Sequence, residues 1–588
     1  MDRETTFRTL AAVGLSIAVM MAWAYLFGPQ PGTLPPPTGM EAGAAAAQDQ
    51  GPADPAASRQ EPVAAADADK NPDAVADAGR WEKIEGTSGQ ANVEVFTSSR
   101  QIVFSARGGR LLSWKLLDYE QLPGSADGRP VDLVSPQARA LDHDPLYVEV
   151  SDKDLEKTIN EAWYQVSEGA ADDDEREAFG LPEGTRRVAF RWADGAGLEV
   201  DKTLYIPDDG GFLAWLKWDV RRQGRSLDDA VICWGPGISR ANPGDEKNRY
   251  AYRGRAIAAL TSGIERYSPG KVDADISWPA ALAPRWLALD AQHFAVAMVP
   301  RQPGVGMVRR YDLTGLGESA EEQNLALATG AREVVIFGGP KEDHLLKTLD
   351  KRLGVDLTSL VNWGFFGFLA RPLYFALAWL ERGVGNWGLA IIIITIVIKV
   401  IFYPLTQKSM VNMRRTQQQM AKLQPKVRKI KEKYRDKRDM EARRKMNEEM
   451  MALYSREGVN PMASLTGCMP MLLQLPVLYA MYTVLSAATE LRGAPFFGWI
   501  HDLSAPDPYL VTPLVMGVTM LGQQLLTLTK TEDPQQKSQQ RMMLMMPIMF
   551  TFFFLRLPSG LVLYWLVNNV LGIGQQVLIN RHAERATE

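Results

Sequence analysis

Uncharged apolar residues fill a run of 19 positions near the start of the chain, from Thr9 to Phe27. A helix of that length covers about 30 Å, the thickness of the hydrocarbon core of a membrane. Aromatic residues close the run, as they do at membrane interfaces. A cleaved signal peptide is the alternative, but it would have a shorter apolar centre and small residues at a cleavage site. The pattern favours a transmembrane anchor over residues 1–27.

The next two segments differ sharply in composition. Residues 28–80 are mostly Ala, Pro, Gly, Asp and Gln, which predicts a disordered linker because almost no large apolar side chain is present. From 81 to 350, short runs alternate between apolar and polar positions, which predicts antiparallel strands in a large all-β sandwich domain. The runs are Ala91–Phe96, Arg186–Trp192, Leu198–Ile206, Phe212–Val220, Phe294–Val299 and Arg332–Gly338. The acidic run Asp172–Glu177 is predicted to be a solvated loop rather than a calcium site.

Long apolar runs return after Asp350. The aromatic-rich stretch 357–383 predicts an amphipathic helix at the membrane interface. Five further runs predict membrane spans: Gly385–Thr406, Met469–Ala488, Tyr509–Leu528, Met542–Leu557 and Gly560–Val577. The pattern thus predicts a polytopic α-helical membrane protein with six transmembrane helices, a five-helix core at 385–579 and a short tail at 580–588.

A strongly basic segment is hidden by the formal net charge of −4. Residues 407–457 contain 16 Lys or Arg and 7 Asp or Glu, a net charge of +9, so the remaining chain sums to −13. Positive charge beside membrane spans marks the cytoplasmic side. With six spans, both termini are expected in the cytoplasm and the β domain in the periplasm of a bacterium, with the core in its inner membrane.

The basic segment also has helical periodicity on both sides of a polar break at 435–439, which predicts a helical hairpin over 407–457. Its charge could serve orientation alone. Contact with anionic lipid, the ribosome or acidic polypeptide is the alternative, without recognition of a specific nucleic-acid sequence. The residues expected to recruit such partners are Arg414, Arg415, Lys422, Lys426, Arg428, Lys429 and Lys431.

Several classes of chemistry are excluded by residue content. Two distant cysteines, Cys233 and Cys468, and five scattered histidines provide neither a disulfide framework nor metal-ligand spacing. We therefore predict no metal and no cofactor, and we expect Cys233 to be a buried thiol. No nucleotide-binding motif occurs, and an intramembrane protease would have only Ser559 as its nucleophile, without a histidine in any span. The chain is not expected to be an enzyme.

Lys399 is a basic residue well inside an otherwise apolar span, and Thr395 lies one turn earlier on the same face. A lone lysine there costs about 2.5–3.5 kcal/mol, so it should face protein or water unless its stem reaches the cytoplasmic interface. Other spans contribute Gln474, Gln523, Gln524, Tyr564, Asn568 and Asn569. Each could be a single interhelical hydrogen bond. Together they predict a hydrophilic, positively charged groove open to the cytoplasm and to lipid.

Several motifs resemble those of the YidC membrane protein insertases of Gram-negative bacteria. They include GNWGLAIIIIT (Gly385–Thr395), LQPKV (Leu423–Val427), LRGAPFFGWIHDLSAPDPY (Leu491–Tyr509) and PSGLVLYW (Pro558–Trp565). The resemblance implies an insertase and folding chaperone for nascent inner-membrane proteins, acting alone or with the Sec translocon. It also implies that the groove cation is Lys399 and that Thr395, Gln474, Tyr564 and Trp565 line the groove, beside Gln524 and Asn568.

Two positions depart from the family pattern, which has Arg at Lys399 and a second Tyr at Trp565. Lysine keeps the charge but lacks the planar fork that grips a carboxylate. A solute transporter or channel is the alternative function. It would predict an internal repeat and a paired intramembrane acid, and neither is found in the sequence.

Overall fold

The structure is a computed structural model that describes residues 82–87, 92–121, 123, 128–209, 211–239, 254–313, 323–434, 439–458, 469–527 and 534–585. The predicted anchor and linker lie outside the described residues, as does Cys468.

Twenty strands occupy the described part of the β domain. They are β1 Lys83–Ile84, β2 Val93–Phe96, β3 Arg100–Ser105, β4 Arg110–Glu120, β5 Pro130–Asp132, β6 Tyr147–Glu149, β7 Gln165–Ala170, β8 Arg186–Asp194, β9 Leu198–Ile206, β10 Leu213–Arg222, β11 Arg225–Ser226, β12 Val231–Trp234, β13 Arg255–Leu260, β14 Gly263–Tyr267, β15 Ile276–Trp278, β16 Trp286–Asp290, β17 Phe294–Pro300, β18 Gly306–Asp312, β19 Gln323–Thr329 and β20 Glu333–Pro340.

All strand pairs are antiparallel, in three sheets. The largest has 11 strands in the order β1-β8-β9-β10-β20-β17-β16-β13-β14, with β7 beside β8 and β11 beside β10. A five-stranded sheet (β15-β18-β19-β12-β6) and a four-stranded sheet (β2-β3-β4-β5) complete the domain. Side chains from all three sheets share one buried core, so the predicted sandwich of antiparallel strands is present.

Close packing between the sheets is visible at Gly338 of β20. A β-carbon there would lie 2.9 Å from Trp114 of β4, so only glycine allows this indole to approach the backbone. The Trp114 ring in turn contacts Trp234 of β12, with 5.9 Å between ring centroids. One side chain of β4 therefore joins the small sheets to the large one.

The domain also contains helices, so the prediction of an all-β domain was incomplete. They are α1 Pro136–Ala140, α2 Lys153–Glu161, α3 Asp173–Phe179 and α4 Asp343–Leu353. The acidic run Asp172–Glu177 was wrongly predicted to be a loop and forms most of α3. Asp172 caps this helix and Glu175 completes a reciprocal capping box, while acidic residues in the first turn complement the helix dipole.

Seven helices form the C-terminal half within the described residues: α5 Gly367–Val384, α6 Trp387–Lys433, α7 Met440–Arg456, α8 Met469–Ala487, α9 Val511–Thr527, α10 Pro534–Phe554 and α11 Ser559–Arg585. Helix α5 begins ten residues after the predicted start of the interfacial helix, because Leu357–Leu360 forms a separate 3-10 turn. Helix α6 has 47 residues and continues without a break from the predicted span into the basic hairpin. Helix α10 begins earlier than predicted, and α11 extends through most of the predicted tail to Arg585.

Two of the described helical stretches, Trp387–Asn412 and Ser559–Ile579, are long and apolar enough to cross a membrane. Val511–Leu526 and Gln540–Phe554 are apolar but shorter. These two long stretches correspond to the second and sixth predicted spans.

The β domain contacts the helical half through the connection that follows α8. Thr489 donates a hydrogen bond from Oγ1 to the carbonyl of His293 at 3.0 Å, and Arg492 donates to the carbonyl of Gln121 at 2.8 Å. The Arg492 guanidinium also lies 5.5 Å from the centroid of the Phe294 ring. Backbone carbonyls and one aromatic ring of the β domain thus hold this connection.

We expect Arg492→Ala to loosen this junction, because it removes a charge-assisted hydrogen bond and a cation–π contact worth about 1–3 kcal/mol together. Faster hydrogen exchange in β17 and in residues 119–121, with a lower melting temperature in detergent, would report the loss. The control is Lys351→Ala, which removes an exposed cation from α4 of the same domain. Equal exchange in both variants would contradict the assignment.

Glu490 carries a carboxyl group that is buried at the same junction. Tyr374 of α5 donates a hydrogen bond to it at 2.5 Å. Burial raises the pKa of Glu490, nearby Glu342 and Asp343 add to that rise, and the Tyr374 hydrogen bond opposes it. A raised folded-state pKa means that the ionised carboxylate destabilises the fold as the pH rises from the ordinary glutamate value of about 4.3 through the raised value.

Glu490→Gln should therefore stabilise the protein near neutral pH, since glutamine keeps an acceptor for Tyr374 without burying a charge. The difference in melting temperature from the parent should shrink as the pH falls below the ordinary glutamate pKa. Glu490→Ala, which also removes the acceptor, is the comparison. A stability gain for glutamine that does not change with pH would contradict the titration of Glu490.

Candidate groove in the helical half

The start of α6 is fixed by the GNWG motif. The Asn386 side chain accepts from the Leu389 amide at 3.0 Å and so caps the helix, while its own amide donates to the carbonyl of Pro495 at 3.2 Å. At Gly388 a β-carbon would collide with the Phe496 ring, so this position needs glycine. The motif therefore binds the first turn of α6 to the loop that precedes α9.

The start of α11 is bound to the same loop by the PSG motif. Ser559 donates from Oγ to the carbonyl of Asp502 at 2.9 Å, and the Gly560 amide donates to the carbonyl of Leu503 at 2.9 Å. Ser559 is fully buried. Its hydroxyl therefore links the start of α11 to this loop.

Asp507, in the same loop, organises the start of α9. Its carboxylate accepts hydrogen bonds from the indole of Trp499 at 3.0 Å, from the Tyr509 amide at 3.0 Å, and from the amide and hydroxyl of Thr512, both at 2.7 Å. Burial raises the pKa of Asp507, but these hydrogen bonds outweigh burial and leave it below the ordinary value. One loop thus fixes the starts of α6, α9 and α11.

Lys399 of α6 and Asn568 of α11 are brought together between these helices. The lysine Nζ donates to Asn568 Oδ1 at 3.0 Å, and both side chains are partly buried. Among the described residues no carboxylate forms an ion pair with Lys399. The ammonium is therefore held by a neutral acceptor, and its charge is not compensated there.

The remaining predicted groove residues have different environments. Tyr564 is fully buried, one turn before Asn568, and accepts a short hydrogen bond from the Gln474 amide of α8. Thr395 is also buried, and its hydroxyl donates to the carbonyl of Ile391 in its own helix at 2.6 Å. Trp565 packs on α10 against Phe550 and Phe554, at ring-centroid distances of 6.4 and 5.6 Å, and Gln524 is partly buried in α9.

The basic hairpin is formed by the second half of α6 and by α7. Leu423, Val427 and Ala442 are buried in it. Lys426 pairs with Glu457 and Lys433 pairs with Glu449, each at 2.5 Å. Lys422, Arg428 and Lys429 are exposed, whereas the side chains of Arg414 and Arg415 lie outside the described residues.

The chain matches two family models that cover nearly all of the described residues. The model for the YidC periplasmic domain matches residues 92–376, and the model for the 60Kd inner membrane protein matches 379–586. The membrane protein insertase YidC of Citrifermentans bemidjiense is 34% identical over 582 residues, which cover 98% of this chain and 99% of that protein. The YidC of Syntrophus aciditrophicus is 32% identical over 520 residues, 85% of this chain and 87% of that protein.

The chain belongs to the YidC membrane protein insertase family. It is accordingly an inner-membrane protein with a periplasmic domain, and the two family models meet inside α5. A crystal structure described as an active YidC insertase with the first transmembrane domain resolved is 19% identical and covers 84% of this chain and 94% of its own, with a TM-score of 0.34.

Sequence reasoning missed Gln575, which is buried in α11. Its amide donates to Thr406 Oγ1 at 3.2 Å and to Gln407 Oε1 at 3.3 Å, both in α6. Gln575 lies seven residues after Asn568, and Thr406 lies seven after Lys399. This equal spacing on two helices could have indicated the contact, because residues two turns apart lie on one helix face.

The Tyr564 and Gln474 contact should stabilise the bundle. Tyr564→Phe leaves the partly buried amide of Gln474 without its acceptor and should cost about 1–3 kcal/mol of unfolding free energy. Adding Gln474→Leu should recover part of the loss, because both polar groups are then absent. Melting temperatures of the single and double variants measure this coupling, and strictly additive losses would contradict it.

Proposed function

We propose that this YidC family member inserts nascent inner-membrane proteins through a hydrophilic, positively charged groove formed by α6, α8, α9 and α11. The observation that carries the proposal is the ammonium of Lys399, which lies in an apolar helix and is bound only to a neutral amide among its described hydrogen-bond partners. A partly buried cation that keeps its charge can attract an anionic or polar group of a client.

The basic hairpin provides the first contact in this mechanism. Its exposed cations, Lys422, Arg428 and Lys429, lie on the helix that continues directly from Lys399. A client that meets the hairpin is therefore bound to the same helix that carries Lys399. Ribosomal RNA, anionic lipid and acidic segments of the client share the negative charge that this surface would bind.

The groove lowers the cost of moving the polar tail of a client into the membrane. Polar groups that leave water without partners cost several kcal/mol, and the partly buried amides of Gln474, Gln524 and Asn568 offer partners. The membrane potential assists outward movement of an acidic tail by about 2.3 kcal/mol per charge per 100 mV. The apolar part of the client meanwhile enters lipid between α8 and α10.

Exposed apolar residues on α10 support this lateral route. Met545, Ile548, Met549 and Phe552 are all at least 60% exposed, so they present an apolar surface to the bilayer. Methionine side chains adapt to apolar segments of different shape. A client helix can thus pass from the groove into lipid along a surface of matching polarity.

The proposal includes the topology expected from the charge distribution. The anchor and five helices of the core cross the membrane, both termini face the cytoplasm, and the hairpin lies on the cytoplasmic side. Clients are nascent membrane proteins, and insertion proceeds alone or beside the Sec translocon. The ribosome and anionic lipid are the proposed partners of the hairpin.

Lys399→Ala should reduce insertion of a client with an acidic translocated tail by about tenfold, which corresponds to about 1.4 kcal/mol and lies within the range of one charge contact at a protein surface. Insertion is measured in cells depleted of their own insertase, by protection of the client from added protease. The matched control is Lys408→Ala, which removes an exposed cation from the same helix. Wild-type insertion by Lys399→Ala would refute the electrostatic role.

Photocrosslinking tests the route independently. A crosslinker at Trp565 should capture a stalled nascent chain, because this residue lies one position after Tyr564 of the groove and packs against α10. The same crosslinker at Leu282, an exposed residue of the periplasmic domain, should not. Equal capture from both positions would contradict a groove at this place.

A further inference from the structure

The partner of Lys399 is unusual for a cation in an apolar environment. Buried lysines generally pair with a carboxylate or face a water-filled cavity. Asn568 instead offers an amide carbonyl at 3.0 Å from Nζ. A carbonyl dipole fixes the position of the ammonium without cancelling its charge. The ammonium of Lys399 therefore remains able to form an ion pair with a carboxylate of another molecule.

Neutral contacts continue along the same helix pair. We call each hydrogen-bonded contact between the two helices a rung; Lys399 and Asn568 form the first. The second rung, seven residues later on both helices, joins Gln575 to Thr406 and Gln407. Because the two rungs advance in the same direction, α6 and α11 run parallel and are held in register two turns apart. The register does not depend on Asn568 alone, so the second rung keeps the helices paired when the first one opens.

A lysine needs a fixed hydrogen-bond acceptor such as Asn568 more than an arginine would. Its flexible four-carbon stem carries a compact ammonium that can turn toward water at the end of the helix. Thr406, at the second rung, is only seven residues away. Without a fixed acceptor, the ammonium would be free to leave the groove for the cytoplasmic interface.

We propose that Asn568 is a positioning residue that holds the ammonium of Lys399 in the groove at rest, keeps its charge uncompensated and releases it to the carboxylate of an arriving client. This inference rests on the proposed function. Asn568 thereby sets a preference for clients with acidic tails. A carboxylate at position 568 would act as a permanent competitor for the same ammonium.

The experiment compares two clients that differ only in tail charge, one with aspartates and one with asparagines. The charge preference is the ratio of their insertion efficiencies, measured by protease protection in insertase-depleted cells. Asn568→Asp should lower insertion of the acidic client by about tenfold more than insertion of the neutral client, and the same result is expected for Lys399→Gln. Asn568→Ala should lower the charge preference by about threefold, since the ammonium of Lys399 then lacks its hydrogen-bond acceptor but keeps its charge.

Two further variants separate positioning from a merely structural role. Asn568→Gln keeps an amide carbonyl and should retain most of the preference. Gln575→Ala weakens the same helix pair without touching Lys399, so any loss should fall equally on both clients. A melting temperature for each purified variant establishes that it folds, and the glutamine and alanine variants decide the question if Asn568→Asp does not fold.

The possible failures are distinguishable. If Lys399→Gln leaves the charge preference intact, the electrostatic part of the proposed function fails. If Lys399→Gln abolishes the preference but Asn568→Asp and Asn568→Ala keep it, only the role of Asn568 is overturned. The same holds if Asn568→Ala reduces both clients equally, as expected of Gln575→Ala.

Discussion

A cation inside an apolar helix is the constraint on which the helical half depends. Placing a lysine there costs about 2.5–3.5 kcal/mol unless the fold supplies a polar partner. The partner of Lys399 is the carbonyl of Asn568, 3.0 Å away on α11. This contact requires α6 and α11 to be adjacent. The second contact, from Gln575 to Thr406, lies closer to the hairpin and shows that the two helices run parallel. A neutral partner satisfies the hydrogen bond and leaves the charge in place.

The geometry of α6 and α11 is fixed at the first turn of each helix by one loop. Asn386, Ser559 and Asp507 each use a side chain to bind a helix start to the segment 495–512, and Gly388 allows Phe496 to approach α6. The periplasmic domain is held beside this loop by Thr489 and Arg492. The closely held end of the bundle therefore lies toward the periplasmic domain, whereas the hairpin extends from the other end.

Much of the fold followed from periodicity. Apolar runs gave the approximate places of the helices, and alternation gave the antiparallel strands, because side-chain burial imposes these periods directly. Element ends were less well predicted. The acidic run at Asp172 became a capped helix because local hydrogen bonds, which leave no hydrophobic pattern, stabilise it. Lys202 occupies an apparently polar strand position, yet it is fully buried and donates to the carbonyls of Gly108 and Leu146.

The sequence by itself determined that a positive charge lies within an apolar span, that polar side chains occur in the other spans, and that a basic segment adjoins them. Composition and spacing along one chain suffice for those statements. Only the tertiary structure decided that Asn568 holds Lys399, that Tyr564 pairs with Gln474, and that Gln575 contacts Thr406. The reason is physical: a hydrogen bond between helices depends on their register and rotation, which are fixed by contacts far apart in the chain.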